Sequence, residues 1–246
     1  MTSRDLNAAA HSRRRCAPGF RRFLRVAAPA VLALTTLVAP AVSGAGGYGI
    51  PSASADSCPD IQVVFARGTG EPQGAGRVGD AFVDALRSDV GGRSVAVYGV
   101  NYPASDDFLR AVDGANDASA FVQRVVATCP GTQIVLGGYS QGAAVVDIIT
   151  VAGQPVFGFS NPMPPAIADR VAAVAVFGNP SNRVGGPLTA LSPGYGAKTI
   201  DLCTTGDPIC SDGDDRAAHS QYVQSGLTSQ AATFVADRLT AAESAA

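Results

Sequence analysis

The sequence predicts one α/β domain built on a central, mainly parallel sheet of five strands flanked by helices. Short apolar runs alternate along the chain with stretches that have helical spacing. The apolar runs are continuous, whereas a strand with one face in water alternates between apolar and polar residues. Continuous strands that are each followed by a helix are typical of a parallel sheet covered on both faces.

The predicted strands are rich in valine and isoleucine and are bounded by Gly, Pro or Asn. They comprise residues 61–66, 94–100, 133–138, 171–177 and 198–202. Three apolar faces at helical spacing predict helices between them. These faces are formed by Val78, Phe82, Val83 and Leu86, by Phe108, Leu109, Val112, Phe121, Val122, Val125 and Val126, and by Ala144, Val145, Ile148 and Ile149. Gly and Pro residues mark 153–165 and 180–196 as two long surface loops.

Residues 1–55 have the pattern of an export signal peptide. Seven arginines precede an uncharged apolar stretch of about 17 residues, 26–42, and small residues follow it. We predict cleavage after Ala55, with Ala45 as the alternative. A retained membrane anchor is the other interpretation, but Pro29 interrupts the stretch, which is shorter than the roughly 20 residues of a spanning helix. The Arg21-Arg22 pair weakly indicates twin-arginine export.

Residues 56–246 are therefore predicted to form a single mature domain with 11 basic and 19 acidic side chains, a net charge of −8. So acidic a surface argues against nucleic acid or anionic lipid as a partner. We predict a monomer that has no membrane span after processing. It is expected to be secreted, to the extracellular space or the cell envelope.

Four cysteines remain after residue 55, an even number in an exported chain, where thiols are expected to pair. Of the three possible pairings, we predict Cys58 with Cys129 and Cys203 with Cys210. The last two are close in sequence and are separated by turn-forming residues. A zinc site is the alternative, although the spacing contains no C-x-x-C element.

Ser140 lies in the stretch GGYSQG, after the third predicted strand and before the third predicted helix. A G-x-S-x-G stretch at the end of a central strand is where an α/β-hydrolase places its nucleophile on a sharp turn. Gly138 and Gly142 fit this interpretation, because strand and helix backbones approach too closely at such a turn for Cβ atoms. The alternative is a chance match among the small residues of a loop.

A serine nucleophile needs a base, and His219 is the only histidine after residue 55. It follows Ser140 in the chain, as the order Ser, Asp, His of this fold requires. We predict that Asp207 orients the imidazole, because it follows the last strand, precedes Pro208 and lies inside the predicted short disulfide loop. The other nearby aspartates are Asp201, within the strand, and Asp212, Asp214 and Asp215, in a polar turn.

Two N–H donors are expected to bind the oxyanion of the reaction. The backbone N–H of Gln141 follows the nucleophile at the start of a helix. Thr69, in the stretch ARGTGEPQG after the first strand, offers its N–H and its hydroxyl. The alternative for this second stretch is an ordinary turn.

Gly74, Gly76 and Gly79 match the dinucleotide pattern G-x-G-x-x-G. However, seven residues separate the first strand from Gly74, and no acidic residue for a ribose follows the second strand directly. We therefore predict no nucleotide, no metal and no other cofactor.

The segments GGYSQG, CTTGDPICSDG with the later His219, and ARGTGEP, framed by the four cysteines, resemble the cutinase family, especially the exported cutinase-like esterases of actinobacteria. The resemblance covers Cys58 to about Leu239. It implies a small α/β-hydrolase without a lid and carboxylic-ester substrates. It also implies a catalytic triad of Ser140, Asp207 and His219, with Thr69 and Gln141 as the oxyanion hole. The polar SDGDD stretch departs from the fungal cutinases, which are more apolar there, so the resemblance does not single out cutin.

We predict a secreted serine esterase that hydrolyses ester or lipid-like small molecules through an acyl-enzyme. One alternative is a lipase, phospholipase or acyltransferase that acts on envelope or host lipids, and another is an inactive secreted binding protein on the same scaffold. The segment 153–167 is predicted to form the rim of the substrate crevice, and packing of this segment into the core is the alternative. The proposed rim residues, which predict a preference for short to medium acyl chains, are Phe157, Phe159, Met163 and Ile167.

Overall fold

The structure is a computed structural model that describes residues 58–153 and 157–244. The predicted signal peptide and both cleavage sites lie outside the described residues. Five parallel strands form one sheet in the order β2-β1-β3-β4-β5. The strands are β1 (Ile61–Ala66), β2 (Val95–Gly99), β3 (Gln133–Tyr139), β4 (Val171–Phe177) and β5 (Thr199–Leu202). The predicted α/β fold is confirmed, and each strand begins and ends within one residue of its predicted bounds.

Four longer helices cover the two faces of the sheet, and two short ones lie in the connection between β4 and β5. They are α1 (Gly76–Asp89), α2 (Ala111–Thr128), α3 (Gln141–Val151), α4 (Ser181–Val184), α5 (Leu188–Leu191) and α6 (Leu227–Ser244). Helices α2 and α3 pack on one face, whose core includes Val122, Leu136 and Val145. Helices α1 and α6 pack on the other face, where Phe82 and Val235 are buried.

The central strands are buried on both faces, which explains why their sequences are continuously apolar. All six residues of β1 are buried, and six of the seven residues of β3 are buried. Between the sheet and α1, the rings of Phe65, Phe82 and Phe177 form a cluster with centroids 6.1 to 6.3 Å apart. Burying a side chain of this size contributes about 1.5–3 kcal/mol to folding. Phe65 and Phe177 belong to β1 and β4, the two neighbours of β3, at whose carboxyl end Ser140 lies.

The prediction for the second helix is wrong at the start of that helix. Phe108 and Leu109 belong to a separate 3-10 turn, Phe108–Arg110, and are 47% and 83% exposed, so they are not part of the buried face. The chain is extended at Asp107 and becomes α-helical only from Ala111. The apolar residues of the turn continue the helical spacing by chance.

Helix α6 was not predicted. It is buried through Ala231, Ala232, Val235 and Leu239, and small alanine side chains give a weak apolar signal. The predicted loop 180–196 also contains α4 and α5, each only four residues long. Short helices of this kind are set by local turns rather than by an apolar periodicity.

Both predicted disulfide pairs are bonded in the structure, Cys58 with Cys129 and Cys203 with Cys210. The first joins the residues before β1 to the end of α2, and the second closes the loop after β5. Because all four sulfurs are used in these bonds, they do not form the alternative zinc site. Among the described residues, no helix combines the length and apolar character needed to cross a bilayer.

Candidate active site

Ser140 lies on the sharp turn between β3 and α3, as predicted. Its backbone has φ 56° and ψ −118°, a conformation that a residue with a Cβ atom adopts only at a cost. The Ser140 N–H donates to the carbonyl oxygen of Phe177 at the end of the neighbouring strand β4, at 2.9 Å. This bond anchors the strained turn to the sheet.

The flanking glycines have the steric role that the sequence predicts. A Cβ atom on Gly138 would lie 2.2 Å from the carbonyl oxygen of Gly142. A Cβ atom on Gly142 would lie 1.9 Å from the carbonyl oxygen of Ala66, in β1. The turn can therefore bring α3 this close to β1 and β3 only where both positions lack side chains.

His219 and Asp207 form a continuous hydrogen-bonded chain with Ser140. The Nε2 atom of His219 lies 2.9 Å from Ser140 Oγ, and its Nδ1 atom lies 2.7 Å from Asp207 Oδ2. His219 belongs to a short 3-10 turn, and Asp207 lies in the loop after β5, within the disulfide between Cys203 and Cys210. Asp207 is fully buried, and its Oδ1 accepts a bond from the Ile209 N–H at 2.8 Å.

The other candidate aspartates lie away from the imidazole. Asp201, in β5, accepts bonds from the side-chain amides of Asn179 and Asn182. Asp212 pairs with Arg183 at 3.5 Å on the surface. The remaining two are also exposed.

Tyr139 and Tyr222 hold the imidazole from two sides, and neither was predicted as a site residue. The Tyr139 ring stacks on His219 with centroids 5.0 Å apart, and its hydroxyl donates to the His219 carbonyl oxygen at 2.5 Å. Burial raises the pKa of Tyr139 to about 12, so its hydroxyl remains a donor at neutral pH. Tyr222 meets the imidazole edge-on at 6.2 Å. Tyr139 lies inside the GGYSQG motif, but nothing in the sequence indicated its contact with His219.

The two predicted oxyanion residues lie next to each other. The Thr69 hydroxyl is 3.3 Å from the side-chain oxygen of Gln141, and Gln141 is fully buried. The side-chain nitrogen of Gln141, Nε2, donates to the carbonyl oxygens of Ser105 and Asp107. Because Gln141 is the first residue of α3, its backbone N–H belongs to the donors that a helix leaves without an internal acceptor.

Arg67 holds the Thr69 loop in place, a role that was not predicted although the residue is part of the ARGTGEP segment. Its guanidinium is buried and donates to the carbonyl oxygens of Glu71, at 2.8 Å, and Tyr102, at 2.7 Å. In return, the Tyr102 hydroxyl donates to the Arg67 carbonyl oxygen. Arg67 therefore bonds to Glu71 across the loop that carries Thr69 and ties the start of this loop to Tyr102, after β2.

Residues 57–239 match the family model described as cutinase. The chain belongs to the cutinase family. Membership makes it a carboxylic ester hydrolase, a serine esterase on an α/β-hydrolase fold. The family predicted by the resemblance is confirmed.

Two curated relatives and one solved structure place the chain within the cutinase family. It is 55% identical over 229 residues to Phospholipase Culp4 of Mycobacterium tuberculosis, covering 93% of this chain and 97% of the relative. It is 55% identical over 213 residues to Carboxylesterase Culp1 of Mycobacterium bovis, covering 84% and 92%. It is also similar to the Trichoderma reesei cutinase in complex with a phosphonate inhibitor, with 36% identity, a TM-score of 0.61 and coverage of 75% and 78%.

A cavity of about 410 Å³ adjoins the imidazole of this cutinase-family chain. It is lined by Pro208, Ile209, Arg216 and His219. Pro208 and Ile209 supply apolar surface, whereas Arg216 supplies a guanidinium three residues before His219. Within the described part of the chain, Arg216 has no hydrogen bond or ion pair.

The predicted rim of the crevice is wrong for three of its four residues. Phe159, Met163 and Ile167 are buried in the core beside α2 and α3, so most of this segment packs as an ordinary loop. Phe157 alone is exposed, and it lines a separate apolar groove with residues of α2 and α3. The apolar character of Phe159, Met163 and Ile167 is explained by their place in the core rather than by contact with a substrate.

Packing explains two of the three glycines of the dinucleotide-like pattern. A Cβ atom on Gly76 would lie 2.3 Å from a Glu71 carboxylate oxygen, and one on Gly79 would lie 2.6 Å from the Phe65 ring. Gly76 begins α1, and Gly79 allows this helix to lie close to β1. No nucleotide is needed to account for them.

Proposed function

We propose that the chain hydrolyses carboxylic esters with Ser140 as the nucleophile, His219 as the general base and Asp207 as the acid that orients the imidazole. The observation that carries the proposal is the chain of two contacts, 2.9 Å from Ser140 Oγ to Nε2 and 2.7 Å from Nδ1 to Asp207 Oδ2. Both lie within the reach required for proton transfer. The strained backbone of Ser140 supports the same role, because strain of this kind is retained where it serves a site.

In the first half of the reaction, the Ser140 hydroxyl attacks the ester carbonyl carbon while Nε2 of His219 takes its proton. The Asp207 carboxylate stabilises the imidazolium that forms. The negative charge on the former carbonyl oxygen is bound by the backbone N–H groups of Gln141 and Thr69. Collapse of the tetrahedral intermediate transfers the proton from His219 to the leaving alcohol and leaves an acyl-enzyme on Ser140.

In the second half, water replaces the alcohol and the roles of the residues are repeated. His219 takes a proton from the water, the new oxyanion occupies the same site, and the acid leaves as the proton returns to Ser140. No cofactor takes part in this sequence of steps. An added alcohol that competes with water for the acyl group would convert the same enzyme into an acyltransferase.

Titration with a serine-directed phosphonate tests the assignment of the nucleophile. We expect one phosphonate per molecule on Ser140 of the wild type, and none on Ser140→Ala, which should lose nearly all turnover while keeping its melting temperature. Ser88→Ala on the surface of α1 is the matched control and should retain full activity. Labelling of another residue, or turnover by Ser140→Ala close to the wild-type rate, would refute the assignment.

We also propose that the enzyme is exported and that residues 1–55 are removed. The two disulfide bonds support this proposal, because such bonds persist in oxidising compartments. The mass of the protein recovered from the culture medium or cell envelope measures the cleavage site. A mature chain that starts at Asp56 is expected, and a retained N-terminus would favour the membrane anchor.

A second candidate substrate, glycerophospholipid, is favoured by Arg216. The guanidinium lines the cavity beside His219 in a domain that has an excess of acidic residues, and it forms an ion pair with no described residue. An arginine in this place can bind the phosphodiester of a lipid whose acyl ester lies at Ser140. The name of the relative Phospholipase Culp4 agrees with this candidate.

Comparing a phospholipid with an uncharged ester tests the second candidate. Arg216→Gln should lower kcat/KM for a short-chain phosphatidylcholine about tenfold and leave that for 4-nitrophenyl butyrate within twofold. Arg87→Gln, remote from the cavity, is the control for the loss of one positive charge. An equal effect of Arg216→Gln on both substrates would remove the support for phospholipid.

A further inference from the structure

Tyr222 shares a carboxylate oxygen with His219. Its hydroxyl lies 2.5 Å from Asp207 Oδ2, the same atom that lies 2.7 Å from His219 Nδ1. The other oxygen, Oδ1, accepts the Ile209 N–H. The carboxylate is thus held by a backbone donor on one side and by two side-chain donors on the other.

The proton of the Tyr222 hydroxyl is directed toward Asp207 by its other neighbours. The Thr204 N–H donates to the same hydroxyl oxygen at 3.3 Å, which occupies one of its lone pairs. Cys210 Sγ lies 3.3 Å away and carries no proton, because it is bonded to Cys203. Of the groups around the hydroxyl, the carboxylate is the strongest acceptor, so the hydroxyl donates to it.

The ring of Tyr222 is fixed, so the hydroxyl is a preorganised donor. Tyr222 is fully buried, and its ring packs edge-on against Phe177, at 6.0 Å, and Tyr139, at 5.5 Å. Burial, and then the Asp207 carboxylate, raises the pKa of the Tyr222 hydroxyl well above its ordinary value. The hydroxyl therefore stays protonated over the pH range of an esterase assay.

We propose that Tyr222 is a positioning residue for the reaction, which holds the Asp207 carboxylate in the orientation that directs Oδ2 at His219. The proposal rests on the triad assigned under Proposed function. Without the hydroxyl, the carboxylate can rotate away from the imidazole, and fewer molecules hold His219 ready to take the Ser140 proton. The role concerns the base rather than the binding of substrate, so it affects kcat more than KM.

Tyr222→Phe removes the hydroxyl and keeps the ring. With 4-nitrophenyl butyrate, we expect kcat to fall about ten- to a hundredfold while KM stays within twofold. Tyr98→Phe is the matched control, because the Tyr98 hydroxyl also donates to a carboxylate, that of Asp117, but on the edge strand β2. Its kcat should be unchanged. A wild-type kcat for Tyr222→Phe would overturn the proposal.

A double-mutant cycle with Asp207→Asn separates positioning from general packing. If Tyr222 acts through Asp207, adding Tyr222→Phe to Asp207→Asn changes kcat less than twofold, because the two residues act as a unit. An equal loss in both backgrounds would assign Tyr222 to packing and overturn the proposal. If Asp207→Asn itself retains full activity, the proposed triad fails, an outcome distinct from failure of Tyr222→Phe alone.

The His219 Nδ1 proton gives a readout that does not depend on turnover. His219 is the only histidine after residue 55, so a downfield proton resonance of an imidazole in the mature enzyme can be assigned to it. In Tyr222→Phe, this resonance should move upfield, because the freed carboxylate rotates away from the imidazole and its average bond to Nδ1 weakens. If that variant does not fold, 3-fluorotyrosine at position 222 keeps the ring and changes the strength of the donor, and the resonance should move from its wild-type position. An unmoved resonance would overturn the proposal.

Discussion

At the scale of single residues, Gly142 allows the turn that carries Ser140, the proposed nucleophile, to lie close to the first strand. It lies where α3 begins beside the end of β1, and a Cβ atom there would lie 1.9 Å from the Ala66 carbonyl oxygen. The same close approach brings the Gln141 side chain next to Thr69. The glycine therefore serves the proposed oxyanion site as well as the proposed nucleophile.

We predict that Gly142→Ala lowers kcat about tenfold or more, because α3 must move away from β1 and carries Ser140 and Gln141 with it. The same overpacking should lower the free energy of unfolding by about 1–3 kcal/mol. Urea unfolding and kcat for a soluble ester measure the two effects. Gly131→Ala is the control, because nothing lies within 4 Å of its added Cβ atom, and it should change neither quantity. Full activity in Gly142→Ala would contradict the steric role.

At the scale of elements, the loop after β5 depends on its disulfide for its shape. The bond between Cys203 and Cys210 spans 7 positions, whereas that between Cys58 and Cys129 spans 71. Inside the short loop, the Asp207 N–H donates to the Thr204 carbonyl oxygen at 3.0 Å. The chain-entropy model gives about 2–3 kcal/mol for the short loop and about 4 kcal/mol for the long one, as upper values. The two bonds therefore contribute differently to function and to stability.

Replacing each cysteine pair by serine separates these contributions. In the variant Cys203→Ser with Cys210→Ser, kcat should fall more than about tenfold, because the loop that carries Asp207 is no longer fixed. The variant Cys58→Ser with Cys129→Ser should keep kcat within twofold and lose more stability. Thermal unfolding and kcat check both expectations. Full activity without the short disulfide would show that the hydrogen bonds alone hold Asp207.

At the scale of the whole molecule, two partly buried carboxylates add to the charge of an already acidic domain. The side-chain amide of Asn179 lies 3.0 Å from Asp147 Oδ1 and 3.3 Å from Asp201 Oδ2, so one amide bridges both groups. Burial raises the pKa of Asp147 from its ordinary value of 3.8 to about 6, against the opposing hydrogen bond from Asn179. Burial raises the pKa of Asp201 as well.

The raised pKa of Asp147 predicts that stability falls as pH rises. Because the folded state binds this proton more tightly than the unfolded state, the contribution is full below about pH 4 and is lost as pH rises through about 6. Asp147→Asn should therefore raise the free energy of unfolding at pH 8 by up to about 3 kcal/mol, with a gain that shrinks toward pH 4. Urea unfolding between pH 4 and pH 8 measures this gain, with Asp80→Asn at an exposed position as the control. A gain that does not vary with pH would contradict the prediction.

The sequence by itself determined the strands and the chain positions of the candidate site. Continuous apolar runs predict buried parallel strands wherever both faces are covered, so all five strands could be predicted. Ser140 and His219 could be predicted as candidates because the G-x-S-x-G motif marks the serine, and the chain order Ser, Asp, His of this fold marks the histidine. Helix α6 could not, because two of its four buried apolar residues are alanines, which give a weak apolar signal.

Only the tertiary structure decided which apolar and polar side chains meet at the site. Phe159 and Met163 have the composition of a substrate rim, yet they are buried, because burial depends on the neighbours that the fold supplies. Tyr222 donates to Asp207 across 15 positions of sequence, and Arg67 reaches the carbonyl oxygen of Tyr102 across 35. No periodicity or spacing in the sequence predicts contacts of this kind, because only the packing of the folded chain brings the partners together.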